Sequence, residues 1–213
     1  MAKPQRTKKT PRVIGAFLLI LICTLSCCAC TYTISPEQNA KKIDFLSLEP
    51  SALERYIDMG GYKNITVAQQ GSASRGEAVW SAILESSEVK EYPEQHVYYY
   101  VAQLKAQYEY YAKSAGMSYS DITKELGVTD GTILKEAKEL TKRDIICAIV
   151  QKNEGISLTD EEKQTHFDRY VDMYVSEYGY SEEYVRANMT DEIYGSMLYD
   201  KTTEFLILNN NFN

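Results

Sequence analysis

The most closely spaced reactive groups in this chain are four thiols, Cys23, Cys27, Cys28 and Cys30, in the stretch ICTLSCCAC. A thiolate can bind a soft metal, close a disulfide or become a thioether. Position decides among these. The thiols come directly after VIGAFLLILIC, an uncharged apolar run preceded by five cations, Lys3, Arg6, Lys8, Lys9 and Arg12. Cations, an apolar segment and then small residues are the order of an export signal, and the leading cations keep the N-terminus inside while the rest crosses. The chemistry expected of the thiols is therefore processing. Cys28 has Leu25 three residues before it and Ser26 between them, as in the motif where a bacterial signal is cut and the new N-terminal thiol is lipidated. Cys27 occupies a place in that motif where Gly, Ala or Ser is usual. It is also the alternative acceptor, preceded by Ser26 but lacking the Leu. Left uncleaved, Val13 to about Thr33 has roughly the twenty residues that span a bilayer. Either arrangement tethers the rest of the chain to the extracytoplasmic face of the cell membrane.

The remaining reactive residues are sparse. Cys147 is the one cysteine beyond this cluster, and it lies in IICAIV, where a thiol acts as a small apolar side chain. It has no partner for a disulfide. The two histidines, His96 and His166, stand apart among polar residues and tyrosines, which predicts exposed polar roles. Asp160, Glu161 and Glu162 are consecutive, so on a helix they point in different directions, and they read as first-turn acids rather than metal ligands. No GxSxG, HExxH, phosphate-binding glycine loop or CxxC outside the signal occurs. The sequence therefore predicts no catalytic residue, no metal and no cofactor. With 30 acidic against 23 basic residues and a net charge of -7, nucleic acid is not expected as a partner.

The elements that would position any site are mainly helical. Residues 1–30 are read as the signal or anchor and 31–76 as a linker, polar around Pro36 and Pro50, with one short strand at Tyr62 to Val67. From residue 77 to 210 a multi-helix domain is expected. Pro93 opens an amphipathic helix whose seam runs through Val97, Val101, Leu104, Tyr108, Tyr111 and Ala115 up to Gly116. A short helix ends at Gly127. A long one runs from about Asp130 to Asn153, ending at Gly155, and its Ile145–Val150 half is apolar all round, which predicts burial on every side. Thr159 and Glu162 form a capping box for the next helix, which Gly179 stops. Ser181 starts a short helix, and a terminal one runs from about Asp191 to Leu208. Ile145, Ile146, Ala148, Ile149, Phe205 and Leu206 are the predicted core.

The Pro93 helix holds six tyrosines within fourteen residues, Tyr98 to Tyr111. Leu, Ile or Phe would fill a sealed core without a hydroxyl to satisfy, so tyrosine at this density predicts a surface that is part apolar and part wet. Tyr98, Tyr99, Tyr110, Met173 and Tyr174 are the candidates for such a surface. Tyr100, Tyr108, Tyr111, Tyr170 and Tyr178 read as seam or core.

Five phrases in order, VWSAILESSEVKEYPEQ, LGVTDGTI, KNEGISLTDEE, YGYSEE and YDKTTEFLI, resemble the C-terminal chaperone domain of trigger factor. GGYKNITV is similar to the stretch at which that family's chain leaves its N-terminal domain. The resemblance covers about residues 77 to 210. It implies a fold like the helical part of SurA-type periplasmic chaperones, with helical arms around a cradle for unfolded chains. That family's ribosome-docking domain is missing, and AQQGSASRGEA is far too short to hold its FKBP-like prolyl isomerase. The expectation is a membrane-tethered chaperone, not an enzyme, that binds unfolded or newly exported polypeptides without isomerase or ribosome function. The alternative is an envelope lipoprotein that docks one specific folded partner as a scaffold or assembly subunit.

Overall fold

Local sequence sets each helix end in the computed structural model, which describes residues 40–68, 71 and 73–213. Ser74 and Glu77 close a reciprocal capping box at the start of α2 (Arg75–Ser86), and Thr159 with Glu162 does the same for α6 (Asp160–Tyr178). Gly116, Gly127, Gly155 and Gly179 take the left-handed conformation after α3 (Glu94–Ala115), α4 (Tyr119–Leu126), α5 (Asp130–Glu154) and α6. These are the four stops expected from the sequence, at positions where a side chain would be strained. α7 (Glu182–Asn188) and α8 (Thr190–Leu208) complete the expected series. The protein is mainly helical.

The stretch read as a linker differs. From residue 40 it is folded: a 3-10 turn at Phe45–Ser47, α1 (Pro50–Glu54), β1 (Ile57–Asp58) and β2 (Thr66–Val67). Phe45, Leu53, Tyr56, Ile57 and Val67 are buried in the same core as α2. The expected boundary at residue 77 is therefore corrected, because apolar side chains scattered among charged neighbours still gather on one side once the chain turns. β1 pairs antiparallel with β3 (Glu88–Val89), and β2 pairs parallel with β4 (Asn211–Phe212). The expected strand is thus a two-residue ladder, and the polar tail NNNFN is its partner. Asn210 fixes the register, since its Oδ1 accepts from the Ile65 N–H at 2.9 Å and its Nδ2 donates to the Tyr62 carbonyl at 2.9 Å.

Three clusters of buried side chains organise the molecule. A body joins residues 43–67, α2, the second half of α5 and the end of α8 around Val79, Ile83, Ile145, Ile146, Val150 and Leu206, all fully buried. A first lobe packs α3 and α4 on the first half of α5 through Val97, Leu104, Tyr108, Ile133, Ala137 and Leu140. A second lobe packs α6 and α7 on the first half of α8 through Tyr170, Val171, Tyr174, Val185, Met189, Ile193 and Met197. The long helices α5 and α8 are shared struts, each with one half in the body and the other in a lobe. Ile145–Val150 is buried as its composition requires, except Ile149, which like Phe205 is half-buried at the edge of the body.

Polar contacts tie these parts together. Lys142 on α5 donates to the carbonyls of Leu84 at 2.5 Å and Ser87 at 2.7 Å, placing a cation at the negative end of α2. Trp80 stacks on Tyr199 of α8 at 5.2 Å and donates to Thr203 Oγ1 at 2.8 Å. Its indole proton, buried on an otherwise apolar face, is therefore satisfied.

Candidate functional site

The tyrosines of α3 occupy distinct environments. Tyr100 and Tyr108 are core residues; the Tyr100 hydroxyl donates to Asp144 Oδ2 at 2.7 Å. Tyr111 is half-buried, and its hydroxyl accepts from Gln107 Nε2 at 2.9 Å. Tyr98 and Tyr110 are 37% and 54% exposed, among the most open large apolar residues of the described chain. Tyr99 is half-buried, and burial pushes its hydroxyl pKa up. Spacings of four, three and four put Tyr99, Gln103, Ala106 and Tyr110 on one face of α3, along about 16 Å of helix. Ala106 and Tyr110 are exposed, and Tyr99 and Gln103 half-buried. The opposite face, through Val97, Val101, Leu104 and Tyr108, is sealed in the first lobe.

The second lobe changes the candidate set. Tyr174 was expected at a wet surface, yet it is fully buried and is among the largest buried side chains of the protein. This corrects the expectation: Tyr170 and Tyr174 lie four apart on α6 and face α8 together, so they belong to one seam. Tyr170 donates to Asp200 on α8 through a very short hydrogen bond. Burial, and then that carboxylate, push its phenol up to about 12. Met173, one residue off the seam, is half-buried against the same cluster. Tyr98, Tyr99 and Tyr110 thus belong to one lobe and Met173 to another, and the structure does not join them in a single patch. Sequence reasoning missed the stacked pair Tyr180 and Tyr184, 5.7 Å apart and half-buried beside α6 and α7. Tyr180 lies in the turn between α6 and α7, so no helical spacing signalled the pair. Tyr178 lies outside the described side chains, and the lipidation candidates Cys28 and Cys27 lie outside the described residues.

His96 is a second correction. Expected at the surface, it is fully buried where α3, α5 and the N-terminal segment meet. Its Nδ1 accepts from the Ile43 N–H at 2.9 Å, and its Nε2 is 2.9 Å from Asp144 Oδ2. The Phe45 ring lies 4.7 Å away by centroid. Because Nδ1 must accept, a neutral ring carries its proton on Nε2 and donates it to Asp144. Both nitrogens are engaged, so no lone pair faces an open space for proton abstraction. His166 is exposed on α6, as expected. Cys147 is buried, and burial together with the Asp144 charge pushes its thiol up to about 12, the behaviour of an inert core thiol. Arg143 Nε is buried without a hydrogen-bond partner among the described residues. Among the described residues no group of three His, Cys, Asp or Glu could hold a metal ion.

No helix among the described residues is long and apolar enough to cross a membrane. The stretch from Val13 to Thr33 lies outside them. Comparison with known proteins gives no match: no family model, no curated protein and no solved structure corresponds to this chain.

Proposed function

We propose that this chain is a membrane-tethered extracytoplasmic chaperone that binds unfolded or newly exported polypeptides, without prolyl isomerase activity and without being an enzyme. The observation that carries the reading is the exposure of tyrosine on α3: Tyr110 is open on the face it shares with half-buried Tyr99, and Tyr98 is open about a third of a turn away. A holding surface must take many apolar segments weakly and stay soluble between clients. Tyrosine suits this, with a broad apolar ring and a hydroxyl that remains in water. Met173 supplies an adaptable contact from the second lobe. The ordered resemblance of residues 77 to 210 to the trigger factor C-terminal domain, and the export signal, point the same way. Tyr174, being sealed, is not part of the surface.

The test uses the full chain reconstituted in lipid nanodiscs and mixed with an aggregating unfolded client. Suppression of light scattering at molar excess, with capture of a heterogeneous set of unfolded chains from the envelope, is the expected result. Failure to suppress, with capture of one stoichiometric folded partner, would replace this reading with that of a docking lipoprotein.

A further inference from the structure

We propose that residues 40–47 form a strap held on the domain by neutral His96, and that protonation of His96 releases it. The strap is the first stretch of the described residues. Its hold has two main parts: the Phe45 ring, 4% exposed and packed against His96 and Tyr56, and the single hydrogen bond from the Ile43 N–H to His96 Nδ1 at 2.9 Å. Asp44 caps the 3-10 turn within the strap, with Oδ1 accepting from the Leu46 N–H at 3.0 Å, and does not bind the domain. Lys41 and Lys42 are exposed and form no ion pair among the described residues.

Protonation changes each of these terms in one direction. A proton on Nδ1 turns the acceptor of the Ile43 N–H into a second donor, so a hydrogen bond becomes a repulsion between two N–H groups. The imidazolium is closed from solvent while the strap is in place, because the ring is 0% exposed, and a buried charge favours any motion that admits water. Asp144 on α5, 28% exposed, faces Nε2 from the other side. It attracts the imidazolium and keeps it on the helices, so the strap leaves and the histidine stays. The other groups around the ring are Tyr99 and Tyr100 on α3, and Lys42 of the strap itself, whose charge reaches Tyr99 and Cys147. Arg143 lies beside Asp144 and also acts on Cys147. Eight freed residues span about 26 Å when extended, and their release uncovers the apolar notch filled by Phe45.

The experiment is hydrogen exchange on the full chain in nanodiscs, following the peptide that covers residues 40–48 at about pH 7.5 and about pH 5, a range in which imidazoles protonate. After correction for intrinsic exchange rates, protection of the Ile43 amide is expected to fall about tenfold or more at the lower pH, while amides of α2 and α5 keep theirs. His96→Gln offers an amide acceptor that does not titrate, and should hold the strap equally at both pH values. Asp144→Asn removes the attraction for the imidazolium and should move release to lower pH. Unchanged protection in the wild type overturns the proposal, as does an equal loss in His96→Gln. Should His96→Gln fail to fold, the wild-type His96 ring resonances decide: a ring that stays neutral through the whole range sinks the idea. None of these readouts depends on client binding.

Discussion

The two lobes are built from similar lengths of helix but by different chemistry. Residues 92–140, the first lobe, carry seven acidic and five basic residues, a net of -2. Residues 157–200, the second, carry eleven acidic and three basic, a net of -8. The first lobe seals its seam with Val, Leu, Ile and Ala plus Tyr100 and Tyr108, packs Tyr92, Tyr99, Tyr111 and Tyr119 at its edge, and leaves Tyr98 and Tyr110 exposed. In the second, Tyr170, Tyr174, Met189 and Met197 are inside, and the few cations are occupied. Arg186 bridges Asp168 and Glu182 at 2.8 Å each, Lys163 is 3.6 Å from Asp160, and Arg169 reaches the Tyr170 hydroxyl at 3.3 Å. Each lobe therefore buries two tyrosines, Tyr100 and Tyr108 in the first and Tyr170 and Tyr174 in the second, and the lobes differ in what is left outside: among the described side chains, exposed tyrosines, Tyr98 and Tyr110, occur in the first lobe. Where aliphatic residues fill most of the core, further tyrosines reach the surface. Where like charges crowd the surface, large aromatic side chains supply the buried area that holds the helices together.

The largest expected effect breaks this contrast at its centre. Replacing Tyr174 by Ala removes a fully buried ring from the second lobe and should cost about 3–5 kcal/mol, the range for large aromatic truncations. Urea unfolding followed by far-UV circular dichroism measures it, and a cost below about 0.5 kcal/mol would mark Tyr174 as a surface residue after all. The matching change in the first lobe, Ile133→Ala, removes a smaller buried side chain and should cost about 2–4 kcal/mol. Trp80, buried in the body, reports by fluorescence whether loss of either lobe reaches the body.

Why Tyr174 was misplaced shows what the sequence could and could not convey. Helix ends were legible because they depend on residues adjacent in sequence: Thr159 and the four glycines announce their roles locally. The buried half of α5 was legible because an all-apolar turn has nowhere else to go. A tyrosine on a helix face is ambiguous, since the same spacing suits a seam or an exposed strip, and the partner that decides, Asp200 for Tyr170, lies 30 residues away. His96 was unreadable for the same reason. Its two partners, Ile43 and Asp144, are 53 and 48 residues distant. The strap and α1 were hidden because Leu53, Tyr56 and Ile57 give a single i, i+3, i+4 set, too short to establish a helical period, and Phe45 lies eight residues before that set. Of the candidate surface, the α3 tyrosines were legible in part. The Tyr180 and Tyr184 stack was not, because it depends on the turn after Gly179.

Acid sharpens the comparison with opposite signs. In the second lobe, the Lys201 ammonium, 2.6 Å away, and the capping bond from the Thr159 N–H hold Glu162 at about 2, well below its ordinary 4.5. A depressed carboxylate stabilises the fold above its unfolded value and loses that contribution as pH falls through the folded one. The deficit of Glu162→Gln, which keeps the capping geometry, should be full above about pH 4.5 and shrink to nothing near about pH 2. In the first lobe, Glu136 is raised above 4.5, chiefly by burial and then by the Glu139 charge. A raised carboxyl contributes stability that is full below the unfolded value and lost as pH rises through the folded one. Glu136→Gln should therefore be more stable than wild type at neutral pH, with the advantage fading in acid. Chemical denaturation of both variants across this range checks the signs, and like signs would mean that the two lobes do not differ as described.

The smallest effect on stability should accompany the largest effect on function. Tyr98 and Tyr110 are exposed, so Tyr98→Ser combined with Tyr110→Ser removes two rings without opening a cavity. Serine and tyrosine have similar helix propensities, so unfolding should shift by no more than about 0.5 kcal/mol. If the α3 face holds clients, suppression of client aggregation should fall severalfold, because two open ring faces are lost while the helix beneath them is intact. The comparison that gives this meaning is Met173→Ser in the second lobe, where the side chain is half-buried and the surrounding field is strongly negative. A larger loss from Met173→Ser than from the tyrosine pair, measured at equal stability, would move the holding surface to the acidic lobe. Its clients would then be chosen by positive charge as much as by apolar content, and raising salt should weaken their binding, whereas holding on the tyrosine face should be nearly indifferent to salt.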